Sequence, residues 1–282
     1  MGSTSRTDFP PTRACIFDMD GLLINTEDMY TVCANYVLEK YGKPHLPWSV
    51  KAKLMGVPGS STGEVFHAWA QLPISREQYK AELREQQHIH FPDCKPLPGV
   101  EKLLLNLKGA HDINGAKVHI ALASSSEKYN FDLKTSRPET KATFSVFDEN
   151  RRVLGDDPRV QKGRGKPAPD IFLMALQTIN ASLPANEKDI LPEECLVFED
   201  SVPGVEAGRR AKMRVVWVPH PGLKTEYAGR EKDVLAGRIG LVEIGDDFQL
   251  GEVDDGWAQY LPTLEDFPYK HYGIDIAPVS KV

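Results

Sequence analysis

The chain has 282 residues, enough for one large domain or two smaller ones with a sizeable core. Hydrophobic residues make up 41% and charged residues 26%, the balance of a globular protein in water, and the formal net charge is −6. No basic block and no apolar run near the ~20 residues of a membrane span is present, so neither a nucleic-acid nor a membrane partner is expected.

Four cysteines, Cys15, Cys33, Cys94 and Cys195, form no CxxC pair, and Cys15 and Cys195 sit in apolar runs. They read as small buried hydrophobes of a reducing compartment, not as zinc ligands. The first residues, MGSTSRTDFPP, lack the apolar core of a secretory signal, so a cytoplasmic or also nuclear location is expected. A monomer is expected.

The first apolar run, Ala14–Phe17, reads as a buried strand. It ends in Asp18-Met19-Asp20-Gly21, two like charges two residues apart, with Gly21 suited to turning the chain. From 29 to 95 no strand pattern occurs. Tyr30–Tyr41, Ser60–Ala70 and Ser75–His90 read as helices, punctuated by Gly42, Pro44, Pro47, Gly56, Pro58, Gly59 and Pro73. Trp48 and Trp69 read as core of this helical insert. The loop from Gly56 to Ser61 is a candidate to face a substrate, with Lys51, Lys53 and Met55 beside it. A Pro-rich, hinge-like exit follows, from Phe91 to Gly99.

Beyond it, strands and helices alternate. Gly99–Leu107, Pro169–Ile179 and Val205–Ala211 read as helices. Val118–Ala123, Arg152–Leu154, Cys195–Phe198, Val215–Val218 and Leu241–Ile244 read as strands. Strands that are apolar on both faces predict a mostly parallel sheet covered by helices on both sides, an α/β fold. The expected division is a discontinuous core of 1–28 and 96–282 around a helical domain of 29–95. The last 30 or so residues, irregular and aromatic, read as a tail packed on the core, and 245–256 as an acidic addition with no legible duty.

In such sheets ligands bind beyond the carboxyl ends of the strands. Asp18 and Asp20 follow the first strand, Ser124-Ser125-Ser126 the second, and Glu199-Asp200 the fourth; Lys166 stands in GKPAPD between the third and fourth. Each is weak alone: a DxD is common at strand ends, a serine triplet makes a turn, and Glu-Asp before SVPG can precede a helix cap. Together they combine hard oxygen donors suited to Mg²⁺ with a fixed cation and hydroxyl donors suited to a phosphate. An aspartate beside Mg²⁺ can attack phosphorus, and a second carboxylate can move the leaving group's proton.

The runs DMDGLLINTE, ALASSS, GKPAPDIF and CLVFEDSVPGVEA resemble, in order, the four motifs of the haloacid dehalogenase-like phosphatases. The resemblance spans about residues 13 to 220 and implies that family's Rossmann-like core with an inserted α-helical cap. It implies Asp18 as nucleophile and Asp20 as general acid/base. It gives Ser124, Ser125, Gly21 and Lys166 to the phosphate, with Lys166 also catalytic, and Asp18, Asp20, Glu199 and Asp200 to Mg²⁺, Asp200 as a direct ligand. WSVKAKLMG, DLKTSR and VLGDDPRVQ resemble one subgroup, the pseudouridine-5′-phosphatases. The implied activity is Mg²⁺-dependent hydrolysis of a small phosphorylated substrate. A sugar-phosphate or glycerol-phosphate phosphatase, a β-phosphoglucomutase-like mutase and a non-catalytic binding protein remain alternatives.

Three features depart from the family pattern. Asn25 stands where Asp is common and can cap the following helix. The approach to Lys166 is longer, and Lys162 or Arg164 could compete for the phosphate. The acidic stretch is the third.

Overall fold

The computed structural model describes residues 5–56, 59–242, 244 and 250–276. Its strands are β1 (Ala14–Phe17), β2 (His111–Asp112), β3 (His119–Ala123), β4 (Arg152–Val153), β5 (Cys195–Glu199), β6 (Arg214–Trp217), β7 (Ala258–Tyr260) and β8 (Ile274–Asp275). The helices are α1 (Thr26–Lys40), α2 (Trp48–Lys51), α3 (Gly59–Ala70), α4 (Arg76–His90), α5 (Val100–Lys108), α6 (Lys128–Lys134), α7 (Pro138–Phe144), α8 (Asp170–Asn180), α9 (Val202–Arg210), α10 (Pro221–Glu226) and α11 (Glu231–Ala236).

Six strands form one parallel sheet in the order β4-β3-β1-β5-β6-β7. β1 lies between β3 and β5, with Phe17 level with Leu122 and Phe198. Alternation along β1 sends Cys15 and Phe17 to one face and Ala14 and Ile16 to the other. On the first face they meet Leu103, Leu107, Phe147 and the tail's Leu264, Phe267 and Tyr272, so the tail does pack on the core. On the second face Ala121 and Ala123 leave room for Phe172 and Ile179 of α8. Every residue of β1, β3 and β5 is buried, which explains their unbroken apolar reading.

The expected strand at Leu241–Ile244 does not form over its described residues 241, 242 and 244. The sixth strand is β7, three residues that are half-buried or exposed and carry no apolar signal. Of the acidic stretch, 245–249 lie outside the described residues. The rest is held by ion pairs: Asp255 to Arg209, Asp254 to Lys232 at 2.6 Å and Glu252 to Arg238 at 2.8 Å. These acids fasten the approach to β7 onto α9 and α11.

Helices α1 to α4 all lie between β1 and Phe91, and no strand occurs there among the described residues. They enclose a small core of Leu38, Phe66 and Ala70, with Trp69 packed against it. Trp48 departs from its expected place in that core. Its ring stacks on His220 of the sheet-bearing part at 4.6 Å, and a Cβ on Gly222 would overlap it. A large flat ring therefore seats α2 on α10. The loop candidate from Gly56 to Ser61 includes 57 and 58, outside the described residues.

Candidate active site

The acids and the lysine expected at the strand ends converge. Asp18 leaves β1 still bonded to the sheet, its N–H donating to the Phe198 carbonyl at 3.0 Å. One carboxylate oxygen from each of Asp18, Glu199 and Asp200 lies within 4.8 Å of the others, and all three residues are buried. The Lys166 ammonium reaches into the cluster, pairing with Asp18 and, at 2.6 Å, with Glu199 Oε1. It also donates to the Ala123 carbonyl at 3.1 Å.

Three carboxylates against one ammonium leave a negative excess in a dry place. Burial pushes Asp18 up to about 7 despite Lys166, with Glu199 and Asp20 adding to the rise. Burial, then Glu199, Glu27 and Asp18, likewise raise Asp200 well above the usual carboxylate range. Asp200 Oδ2 is buried with no hydrogen-bond partner. An orphaned oxygen among hard oxygen donors fits a Mg²⁺-sized cation, with Asp18, Glu199 and Asp200 as the side chains near it.

Two glycines make the cluster possible. Gly21 has φ +74°, and a Cβ there would overlap the Asp200 carboxylate. Its N–H donates to Thr26 Oγ1 at 3.0 Å, so it closes the turn into α1 and is not among the cavity's lining residues. Gly204, in the first turn of α9, leaves the space that the Glu199 carboxylate occupies. Ser201 caps α9 through Gly204 N–H at 3.2 Å and also donates its hydroxyl to Glu199 at 3.0 Å. Ser201 is thus the helix cap, and Glu199 and Asp200 just before it stand beside Asp18.

Asp20 sits apart from the three-carboxylate group. Its carboxylate is bound by Lys134 at 2.5 Å and by the Ser126 hydroxyl at 2.7 Å. Burial alone would raise it, but the Lys134 charge and the hydrogen bonds more than offset this and hold it below the usual range. Ser124 is fully buried, its Oγ 3.5 Å from Asp20 and accepting the Ser126 N–H at 3.1 Å. Ser125 and Ser126 line the cavity; Ser124 does not. Gly155 and Asp156, from the VLGDDP run, brace this loop: Gly155 N–H donates to Ser126 O at 2.9 Å and Asp156 accepts the Lys128 N–H at 3.0 Å.

A cavity of about 580 Å³ opens above Asp18, Asp20 and Asp200. Its far wall is one face of α4, presenting Arg76, Lys80, Arg84 and Gln87. Met55, Gly56 and Lys51 line it, whereas exposed Lys53 does not. Lys51 is buried, donating to the Glu27 carbonyl at 2.5 Å and Thr31 Oγ1 at 2.7 Å and pairing with the Glu27 carboxylate at 3.2 Å.

One sequence expectation is corrected, and an alternative left open beside Lys166 finds no support. Asn25 does stand at the N-cap of α1, but its side chain accepts no backbone N–H; it donates to Asp28 at 2.9 Å. Arg164 does not turn to the phosphate side: Asp170 binds it at 2.9 and 3.0 Å, and Lys162 is exposed and outside the cavity lining. Lys134 and Ser126 were missed. The signal for Lys134 was its place in DLKTSR, a run with no general motif to explain it.

A parallel sheet with this acid-lysine cluster at its carboxyl edge defines a haloacid dehalogenase-like hydrolase. The family's profile matches residues 15–218, and the chain belongs to it, among its phosphatases. A probable pseudouridine-5′-phosphatase of Saccharomyces cerevisiae is 42% identical over 226 residues, 80% of this chain and 90% of that one. (DL)-Glycerol-3-phosphatase 2 of Arabidopsis thaliana is 35% identical over 89% of this chain and 92% of that one. The solved β-phosphoglucomutase of Clostridium difficile shares the fold at TM-score 0.56 and 22% identity, covering 78% of this chain and 88% of that one. No helix among the described residues is long and apolar enough to cross a membrane.

Proposed function

We propose that the protein is a Mg²⁺-dependent phosphatase of small phosphomonoesters and that pseudouridine 5′-phosphate is its first substrate to test. The observation that carries the activity is the buried set of Asp18, Glu199, Asp200 and Lys166 at the floor of a cavity that also holds Asp20. Bound among Asp18, Glu199 and Asp200, Mg²⁺ would offset their repulsion and the charge of the phosphoryl group. The Asp20 carboxylate, expected to share that metal, is instead held by Lys134 and Ser126 outside the three-carboxylate group.

An Asp18 oxygen attacks phosphorus; the new O–P bond forms as the P–O bond to the leaving alcohol breaks. Asp20 gives its proton to that departing oxygen. As a carboxylate it then takes a proton from water, whose oxygen attacks the aspartyl-phosphate, releasing phosphate and restoring Asp18. Lys134 favours the ionised Asp20 of this second half, and the proton Asp20 takes from water is the one it gives to the next leaving oxygen. Lys166 holds Asp18 in line and supplies a fixed positive charge beside the phosphate, which Ser125 at the cavity wall receives, while Ser124 and Gly21 shape the loop and the turn behind it. Helices α1 to α4 act as the cap that excludes bulk water and selects the leaving group.

The yeast relative supports the pseudouridine 5′-phosphate assignment, and a cavity of about 580 Å³ has room for a nucleoside monophosphate. The Arabidopsis relative favours glycerol phosphate as the second reading. Purified protein with Mg²⁺ is expected to release phosphate from a panel of phosphomonoesters, with the highest kcat/KM on pseudouridine 5′-phosphate. Highest kcat/KM on glycerol phosphate would favour the second reading. An isomerised sugar phosphate without free phosphate would mean a mutase, and no reaction at all would end the catalytic reading.

A further inference from the structure

Lys134 closes α6 and is fully buried, yet it does not line the cavity. Its ammonium has three donors, and three acceptors meet it: Asp20 Oδ1, Ser126 Oγ at 2.7 Å and Tyr30 Oη at 3.0 Å. All three of its donors are engaged on the Asp20 side of the site.

Its surroundings are the two crossings between the sheet-bearing part and the helices α1 to α4. Tyr30 lies in α1, the outgoing crossing, and Phe91 follows α4 on the return. The ammonium sits 4.8 Å from the centre of each of these two rings. Three residues on, Arg137 pairs with Asp93 and donates to the Pro92 carbonyl at 3.0 Å, gripping the return crossing. The crossings are also bonded to each other, Asn25 N–H to Lys95 O at 2.9 Å and Leu97 N–H to Leu23 O at 3.0 Å. DLKTSR thus ties the hinge together and ties it to Asp20.

We infer that Lys134 is a positioning residue that fixes the Asp20 carboxylate against both crossings, so that the seating of the helical insert is passed to the group handling the leaving alcohol's proton. This rests on the role proposed for Asp20. Removing the ammonium takes the paired charge from a half-buried carboxylate, which is then freer to swing away from the Ser126 hydroxyl. A misplacement of about 1 Å at a reacting group can cost roughly 10²-fold in rate.

The test compares two esters on the full-length protein with Mg²⁺. An alkyl phosphate needs its leaving oxygen protonated; p-nitrophenyl phosphate leaves as a stable anion. Lys134→Met is expected to lower kcat about 10²-fold on the alkyl ester and about tenfold less severely on the aryl ester. Inhibition by inorganic phosphate should stay unchanged. In an Asp20→Asn background, Lys134→Met should add little, because the two act as one unit. Tyr30→Phe, which cuts only the tie to α1, should shift the ester ratio the same way by less. Equal losses on both esters, or weakened phosphate inhibition with an unshifted ratio, would overturn the assignment. If Lys134→Met does not fold by circular dichroism, Tyr30→Phe decides alone, and an unshifted ratio there overturns it. A wild-type protein that hydrolyses neither ester sinks the phosphatase reading itself; one that hydrolyses both with unshifted ratios sinks only the role of Lys134.

Discussion

Asp18 and Asp20 are two residues apart, the first buried and the second half-buried, and the floor around one and the wall around the other are built oppositely. Around Asp18 the fold gathers two more carboxylates and supplies one ammonium, and Asp18 and Asp200 are raised there. Around Asp20 it supplies an ammonium of its own and a hydroxyl, so that acid is lowered. The first region keeps a negative excess that the proposed Mg²⁺ would offset. The second is neutralised by the chain itself. The difference suits the two duties proposed for them, a nucleophile beside Mg²⁺ and a carrier of the leaving group's proton.

The comparison breaks most sharply if the nucleophile is removed. Asp18→Asn should lower turnover by at least about 10⁴-fold and leave no phosphorylated protein to trap. Retention of a trappable phosphoenzyme would put the nucleophile elsewhere. Asp20→Asn should lower turnover of alkyl esters by about 10²- to 10³-fold while a burst with p-nitrophenyl phosphate still reports phosphorylation of Asp18. Mild and equal losses in the two variants would erase the distinction between the regions.

The smallest effect sharpens the electrostatic side. Asp18 is raised from 3.8 to about 7, so between those values the folded state holds a proton that the unfolded chain has lost. Its contribution to stability therefore falls as pH rises through that window. In chelator, wild type should lose on the order of 3 kcal/mol relative to Asp18→Asn from pH 4 to pH 7. Mg²⁺ should restore most of it at pH 7 and little at pH 4, since it binds the ionised acids. Thermal melts of both proteins at each pH, with and without Mg²⁺, measure this. A gap between the two proteins that widens in favour of wild type as pH rises would contradict the crowding of acids around Asp18.

The two regions also differ in how far they could be read in advance. The residues of the Asp18 floor stand at strand ends, where an apolar run stops and an acid begins, so each is visible locally and the parallel sheet brings the ends to one edge. The Asp20 wall is different. Lys134 is 114 residues from its partner and ends a seven-residue helix that carries no motif. The same limit explains β7 and α2, of three and four residues, which are too short to carry a period. It explains Trp48, whose apolar ring suits a core and a seat between two parts equally well.

The sequence by itself determined the α/β class, the run of helices after the first strand, and the placing of acids, serines and a lysine at or between strand ends. Those follow from hydrophobic period, turn residues and charge placed at strand ends, all of them short-range properties. The tertiary structure alone decided that Asp20 belongs to Lys134 and Ser126 and not to the acid cluster, that Arg164 is held by Asp170, and that Trp48 joins the insert to α10. Long-range pairing of buried charges depends on which surfaces meet when the helices dock, and no local pattern encodes that meeting.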